Sequence, residues 1–282
     1  MSDLQIGICS FSFHRLLAAG QQDIFQYIKD CKELGCTQLD PWNAHLSPMV
    51  EGDKILHAGR NPNDSSHLSA ADHDYIAQVK EAGDAVGLPF GCIAVDGAHI
   101  YDAKEEARAA NRARAYRWIE IAHQLGAKQI RVDSGGSEEM PDEEFAVIKD
   151  GYRDIIDRGN SQGVEILFEN HWGPTVVPKN CLRLLNEIPG LGMLLDMNNF
   201  KPELRPEGRL ACAPFAKYIH LKTFEWDEEG NETSDQDCVK ALQILKDAGY
   251  NGCWGVESVP RDGDEIEGAR KTIALIRRVV AA

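Results

Sequence analysis

Short apolar runs alternate with longer helix-like segments along the whole chain, and this alternation constrains the fold most. The longer segments carry apolar residues at i, i+3, i+4 and i+7, as amphipathic helices do, and we predict helices at 23–34, 73–86, 105–125 and 234–248 among others. The apolar runs predict strands at 4–10, 36–40, 88–96, 127–133, 164–169, 191–196, 217–222 and 253–258. Strands that alternate with helices form parallel sheets, so we predict an α/β protein.

The length of the repeat predicts which α/β architecture this is. Eight strand and helix units in 282 residues average about 35 residues each, the size of a unit in a (β/α)8 barrel. Four predicted helices are followed by a glycine that suits a left-handed cap, at Gly35, Gly87, Gly126 and Gly249. We therefore predict a single (β/α)8 TIM barrel domain over residues 1–282, with a long polar loop at about 41–69 after the second strand.

Charge and composition exclude several classes of protein. The net charge of −15 disfavours binding to nucleic acid or to anionic membranes. No run approaches the ~20 apolar residues of a membrane helix, and the start, MSDLQIGICS, lacks the basic and apolar regions of a secretory signal. We therefore expect a cytoplasmic protein. The eight cysteines form no C-x-x-C pair, which predicts buried, reduced thiols.

Four consecutive predicted strands end in residues that bind metals well. Glu169 closes the fifth strand, Asp196 the sixth and Glu257 the eighth, and His220 lies near the end of the seventh. The carboxyl ends of all strands in a parallel barrel meet at one face, so these residues should converge. Acidic residues also end strands simply because strands end at the surface, but four in a row predict a site for one divalent ion. Three carboxylates and one imidazole favour Mn²⁺, Mg²⁺ or Co²⁺ and leave Zn²⁺ open.

Other polar and aromatic side chains at the strand ends are candidates for substrate binding. Lys222, two residues after His220, should share its direction in a regular strand and bind a hydroxyl, a carboxylate or an enediolate; the alternative is a solvated lysine at a strand end. Each of the others has a structural alternative, such as core packing or a local hydrogen bond. They are His171, Trp172, Trp42, His14, Arg131 and Trp226.

The motifs at these strand ends also resemble a known family. They read FENH at 168–171, LLDMNNF at 194–200, YIHLKTFEWDEEGNET at 218–233, and GYNGCWGVES at 249–258 followed by DEIEGARKT at 264–272. In this order they resemble the xylose isomerase-like TIM barrel of the sugar-phosphate isomerase/epimerase superfamily, which includes ketose 3-epimerases and inosose isomerases and dehydratases. The segments GICSFSFHRLL and QLDPWNAHL extend the resemblance into the N-terminal half.

The resemblance implies one divalent metal ion held by Glu169, Asp196, His220 and Glu257, with the two glutamates also moving protons. One position departs from the pattern. The ketose epimerases commonly carry histidine three residues after the aspartate, where this chain has Asn199. An amide can donate a hydrogen bond to a sugar hydroxyl but does not shuttle a proton near neutral pH. Asn199 is therefore a predicted substrate-binding residue, and the exact substrate and reaction stay open.

These observations favour a divalent-metal-dependent isomerase or epimerase of a sugar, sugar acid or cyclic polyol ketone. Proton transfer would proceed through a metal-stabilised enediolate. The alternative is a keto-sugar lyase or dehydratase at the same site, because an enediolate can also expel a β-leaving group. No Gly-rich loop or trio of basic residues follows a predicted strand, which favours an unphosphorylated substrate.

Two further classes are less favoured. An apurinic-site endonuclease of the same fold needs a histidine-rich trinuclear metal cluster and a basic surface. Asn199, the acidic segment TFEWDEEGNE and the net charge all oppose that function. The second of these less favoured classes is an inactive binding module. The expected partner is a small carbohydrate, and the oligomeric state, a homo-oligomer included, stays open.

Overall fold

The computed structural model describes residues 4–46, 68, 70–261 and 263–280. Within them, seven parallel strands form one curled sheet in the order β1-β7-β6-β5-β4-β3-β2. The strands are β1 (Ile6–Ile8), β2 (Cys92–Val95), β3 (Gln129–Val132), β4 (Glu165–Glu169), β5 (Gly192–Asp196), β6 (Ala216–Thr223) and β7 (Trp254–Ser258). The predicted parallel α/β architecture is confirmed.

The predicted second strand, residues 36–40, is not a regular strand, so the described residues contain seven strands instead of eight. The segment still lies between the two edge strands of the sheet. It makes isolated parallel bridges between Cys9 and Asp40, Leu39 and Phe90, and Trp42 and Ala94.

The backbone of this segment explains why it forms no continuous ladder. The backbone N–H of Asp40 donates to the side-chain hydroxyl of Tyr27 at 2.8 Å, so it is not available to a neighbouring strand. The next residue, Pro41, has no N–H to donate. Two successive residues therefore leave the pattern of strand pairing.

Helices connect the strands. They are α1 (His14–Ala18), α2 (Ile24–Glu33), α3 (Asn43–Leu46), α4 (Ala70–Val86), α5 (Glu105–Leu125), α6 (Asp142–Gln162), α7 (Pro178–Glu187), α8 (Arg205–Cys212), α9 (Cys238–Asp247) and α10 (Glu265–Val280). The four helices predicted by range correspond to α2, α4, α5 and α9. All four predicted glycine caps have positive φ, between 71° and 77°. Among the described helices, none is both long enough and apolar enough to span a bilayer.

Most of the long loop predicted over 41–69 lies outside the described residues, since 47–67 and 69 are not among them. Its first described part contains the short helix α3, and α4 begins at Ala70. All eight cysteines are buried and free, as predicted.

Side-chain alternation along the strands positions the candidate site. A small buried cluster of Cys92, Leu167, Leu194, Tyr218 and Cys253 is separate from the main core. Glu169, Asp196 and His220 each follow a member of this cluster by two residues on the same strand. Because strand side chains alternate with a period of two, these three side chains project to the same face of the sheet as the small cluster. The site is thus the polar continuation of an inner apolar layer.

Candidate active site

The four predicted metal ligands converge on adjacent strands. Glu169 ends β4, Asp196 ends β5, and His220 and Glu257 lie towards the ends of β6 and β7. All four side chains are buried, and one candidate ligand atom from each lies within 4.8 Å of the others. The Nδ1 atom of His220 lies 2.8 Å from Glu257 Oε2 and 3.5 Å from Glu169 Oε1.

Two cations, one partly buried and one buried, stabilise the negative charge of this cluster. Lys222 Nζ lies 3.1 Å from Asp196 Oδ2 and 3.3 Å from Glu257 Oε1. Arg131 Nε lies 2.9 Å from Glu169 Oε2. Burial and mutual repulsion disfavour several ionised carboxylates in one place, so the cations are needed to keep them charged.

The pKa of each of the three carboxyl groups depends on the balance between burial and neighbouring positive charges, and this balance differs between them. Burial opposes ionisation of Glu257, but Lys222 and His220 hold its pKa well below the usual range. Burial likewise opposes ionisation of Glu169, and the charges of His171 and Arg131 nevertheless lower its pKa. Burial raises the pKa of Asp196 in spite of Lys222.

Two atoms of the cluster fit a metal ion because they are buried and lack a hydrogen bond. Asp196 Oδ2 and His220 Nδ1 make no hydrogen bond to any described residue, although each lies near a charged neighbour. The other aspartate oxygen, Oδ1, accepts hydrogen bonds from the backbone N–H groups of Asn198 at 2.7 Å and Asn199 at 3.0 Å. The carboxylate is therefore held through Oδ1, while Oδ2 faces Lys222 Nζ at 3.1 Å and is the oxygen that a metal ion would take. Buried polar atoms without a hydrogen bond need an explanation, and an oxygen-rich set with one nitrogen suits a divalent cation.

A cavity of about 590 Å³ adjoins the cluster and is lined by Glu169 and Glu257 among others. This volume falls in the range of ~300–1,000 Å³ usual for small-molecule sites. Six of the predicted substrate-binding residues line it: Lys222, Asn199, His171, Trp172, Trp42 and Arg131.

The two remaining candidates are not among the residues that line this cavity. The ring of His14 stacks on Phe11 with 4.6 Å between centroids. Trp226 pairs with Glu232 in an isolated antiparallel bridge, and Lys271 Nζ lies 5.6 Å from its ring centroid. Local contacts account for both positions, and substrate contact by either residue stays a prediction without geometric support.

Asn199 connects two functional groups. Its Nδ2 lies 3.3 Å from Glu169 Oε1, and its Oδ1 accepts a hydrogen bond from Lys222 Nζ at 2.8 Å. An amide has two N–H donors, so one remains for a substrate hydroxyl. Asn199 therefore helps to position Glu169 and Lys222, in addition to its predicted contact with the substrate.

Arg131 and His171 are likewise held by carboxylates. Arg131 Nη1 lies 2.8 Å from Asp96 Oδ1 and 3.2 Å from Asp133 Oδ2, in addition to its contact with Glu169. His171 Nδ1 lies 3.1 Å from the same Asp133 oxygen. Burial lowers the pKa of His171, but Glu169 and Asp133 outweigh it and raise that pKa overall. Arg131 is engaged on three sides, so the geometry makes it a support for Glu169 more than a substrate ligand.

Trp172 and Trp42 form aromatic parts of the cavity wall. Trp172 is 59% exposed, unusual for so large an apolar residue, and its ring lies 4.4 Å from that of His171. Trp42 is buried, and its Nε1 donates to Asp96 Oδ2 at 2.8 Å. An exposed aromatic face beside a polar cavity is suited to pack against the C–H face of a sugar ring.

Sequence reasoning did not identify several cavity residues. Cys9 is the last residue but one of the first predicted strand, so its position near the strand end was a usable signal, and it lies close to His220 and Glu257. Burial raises the pKa of its thiol. Lys201 and Arg205 also line the cavity. They lie in and beyond the loop after β5, where no periodic pattern marks them.

The sequence matches the family model of the xylose isomerase-like TIM barrel over residues 28–279. No match was found among curated proteins.

Several solved structures share the fold. The 3-keto-D-glucoside 4-epimerase YcjR from E. coli is 17% identical, with a TM-score of 0.67 over 91% of this chain and 95% of that one. A D-psicose 3-epimerase solved in the presence of D-fructose is 12% identical, with a TM-score of 0.70 over 99% and 100%. The probable 3-DHS dehydratase AsbF from Bacillus anthracis is 14% identical, with a TM-score of 0.67 over 96% and 98%. At such identities the likeness shows the fold alone.

Proposed function

Because this chain belongs to the xylose isomerase-like TIM barrel family, we propose that it is a divalent-metal-dependent isomerase or epimerase of a sugar, sugar acid or cyclic polyol ketone. The observation that carries the proposal is the buried group of Glu169, Asp196, His220 and Glu257 beside the cavity. Four protein ligands leave open positions on an ion that prefers about six, and neighbouring oxygens of a substrate can fill them. Mn²⁺, Mg²⁺ and Co²⁺ suit this donor set best, with Zn²⁺ open.

When bound, the ion would polarise a substrate carbonyl and stabilise the negative charge of an enediolate. We assign proton transfer to Glu169 and Glu257. They come from β4 and β7, which β5 and β6 separate in the sheet, so the two carboxylates can face a substrate from two sides. Removal of a proton by one glutamate and its return by the other inverts a carbon centre. Return to the adjacent carbon gives isomerisation instead.

Neighbouring cations affect the orientation and the basicity of the two proposed bases, Glu169 and Glu257. Arg131 holds Oε2 of Glu169 at 2.9 Å and leaves Oε1 as the oxygen nearer His220. The charges that keep Glu257 ionised also weaken it as a base, because a carboxylate of lower pKa accepts a proton less readily. A base of this kind most readily takes a proton from a C–H bond that an adjacent carbonyl acidifies.

A lyase or dehydratase reaction is the second candidate. It needs a group that can protonate a departing oxygen, beyond the two glutamates. His171 lines the cavity two residues after Glu169 and is held by Asp133 at 3.1 Å, which supports such a role. The similar structures include two epimerases and a probable dehydratase, which supports keeping both reaction classes for this fold.

Solvent exchange tests the proposal directly. The protein is analysed for bound metal and then incubated in D₂O with Mn²⁺ and a panel of keto-sugars, sugar acids and inososes, with deuterium uptake followed by NMR. We expect about one ion per chain and metal-dependent uptake at a carbon next to a carbonyl. An isomeric product indicates isomerisation or epimerisation, and loss of water or an alcohol indicates the lyase.

Matched variants identify the bases. Glu169→Gln and Glu257→Gln should each slow exchange by about 10² or more at restored and measured metal occupancy, the lower range for loss of a general base. Glu165→Gln is the control, because Glu165 begins the same strand as Glu169 and its carboxylate bonds to Gln129 at 2.7 Å. Normal exchange by fully metal-loaded Glu257→Gln would show that Glu257 is only structural. Absence of both metal binding and exchange would refute the function.

A further inference from the structure

Among the described residues, one cation in the cavity wall has no partner of opposite charge. Arg205, the first residue of α8, lines the cavity and is partly buried. Its Nε is buried and makes no hydrogen bond, and no residue in the described part of the chain forms an ion pair with its guanidinium group. A buried donor without a partner is costly, so its presence in a cavity wall points to a ligand.

The other cavity cations are already neutralised. Arg131 contacts Asp96 and Glu169, and Lys222 contacts Asp196 and Glu257. Lys201 pairs with Glu138, and both side chains are exposed. Among the described residues, Arg205 is therefore the cavity-lining lysine or arginine that lacks a carboxylate partner.

A second arginine adds to the positive charge that lacks a carboxylate partner. Arg209 lies one turn after Arg205 on α8, and its guanidinium group donates to the backbone carbonyls of Met197 and Gln236. No described carboxylate forms an ion pair with it. Burial, and then the positive charge of Arg205, lower the pKa of Arg209. Like charges at i and i+4 destabilise a helix, and an anion bound at Arg205 would relieve that repulsion.

We propose that Arg205 forms an anion subsite of the cavity, which binds a carboxylate or a phosphate ester on the part of the substrate that does not react. The inference rests on the proposed function and narrows its substrate class from sugars in general to anionic sugars. The planar guanidinium group matches both anions, since each can accept two parallel N–H bonds. Such a subsite also offsets the repulsion that a chain of net charge −15 exerts on an anionic substrate.

The subsite also bears on the expectation of an unphosphorylated substrate. That expectation came from the absence of clustered basic residues directly after the predicted strands. Arg205 lies nine residues beyond Asp196, past the strand end. A carboxylate at Arg205 would agree with the expectation, whereas a phosphate ester would overturn it.

Three forms of one ketose test the subsite. D-fructose, D-fructuronate and D-fructose 6-phosphate share the ketose end and differ only at C6, which is a hydroxymethyl, a carboxylate or a phosphate ester. The same triplet in the D-tagatose series covers a second configuration. Binding to the Mn²⁺-loaded protein is measured by calorimetry for wild type, Arg205→Gln and Arg205→Lys. Arg270→Gln is the control, because Arg270 is an exposed arginine of α10 that pairs with Glu267 at 3.2 Å.

We expect wild type to bind at least one anionic ketose on the order of 10-fold or more tighter than its neutral counterpart, as charge-assisted hydrogen bonds allow. Arg205→Gln should bring that ratio close to one, Arg205→Lys should keep part of it, and Arg270→Gln should match wild type. Preference for the uronate identifies a sugar acid, and preference for the phosphate identifies a sugar phosphate.

Equal affinities in wild type, a preference that survives in Arg205→Gln, or no binding of any anionic ketose overturns the subsite. Solvent exchange on the same samples separates this from failure of the proposed function. Exchange without anion preference leaves the function standing and removes the subsite. Anion preference without exchange of any compound supports the subsite and counts against the chemistry.

Discussion

Lys222→Met should destabilise the metal-free protein and at the same time strengthen its binding of a divalent cation. Lys222 Nζ lies 3.1 Å from Asp196 and 3.3 Å from Glu257, and both of these are proposed metal ligands. Although burial opposes it, the charges of Asp196 and Glu257 raise the pKa of Lys222 well above its ordinary value. The ammonium group thus neutralises, in the free protein, the charge that a metal ion would neutralise in the loaded one.

The size of the effect follows from the burial of the pair. Removing one partner of a buried ion pair costs about 3–5 kcal/mol, because the remaining charge stays in a poorly solvated site. A chain of this length loses on the order of 2 °C in Tm per kcal/mol, so the metal-free variant should melt roughly 6–10 °C below wild type. A bound divalent ion supplies the missing charge, and the penalty should largely disappear.

The assay is thermal unfolding with and without Mn²⁺, combined with calorimetric titration of the metal. Wild type should gain about 2.7 kcal/mol at 100 times Kd, and the variant should gain more at the same concentration because it binds the ion more tightly. Lys217→Met is the matched control, since Lys217 is an exposed lysine near the start of β6. A metal-free Lys222→Met as stable as wild type, or equal gains in Tm on adding Mn²⁺, would refute the reasoning.

Three further predictions follow from the site and its surroundings. Chelation should lower Tm and abolish substrate C–H exchange, and added Mn²⁺ should restore both; exchange that persists after complete chelation would contradict the metal assignment. Asn199→Ala should cost about 1–3 kcal/mol in kcat/KM, because it removes a polar contact of the site, while elemental analysis should find unchanged metal content; loss of metal would make Asn199 a support of the ligand set. His45 is buried with Nδ1 3.0 Å from Ser10 Oγ, and burial lowers its pKa to about 3. As the pH falls, the unfolded chain therefore takes up a proton at His45 before the folded chain does. The stability that neutral His45 contributes is fully present above about pH 6.5 and falls by roughly 1.4 kcal/mol per pH unit towards pH 3. Urea unfolding should show that the free energy of unfolding of His45→Asn falls less steeply with decreasing pH than that of wild type. Identical slopes would show that His45 does not cause the loss of stability in acid.

The sequence by itself determined the class of fold and the proposed set of metal ligands. Alternating strand and helix periods require a parallel sheet, and parallel strands bring their carboxyl ends to one face. Glu169, Asp196, His220 and Glu257 can therefore be grouped from their positions along the chain alone. Side-chain alternation similarly predicts that Lys222 shares the direction of His220, and the contacts of Lys222 with Asp196 and Glu257 agree.

Only the tertiary structure decided how these residues are paired and which others join them. Residues 36–40 have a strand-like pattern, yet a distant tyrosine hydroxyl takes the N–H of Asp40 and the next residue has none. Arg131 is a candidate substrate ligand by its place at a strand end, but the carboxylates of Asp96, Asp133 and Glu169 surround it in the fold. Arg205 carries no signal in the sequence, because its position depends on the loop that follows β5. Periodicity encodes the direction of a side chain on its own strand or helix, whereas contacts between loops and distant segments depend on how the whole chain packs.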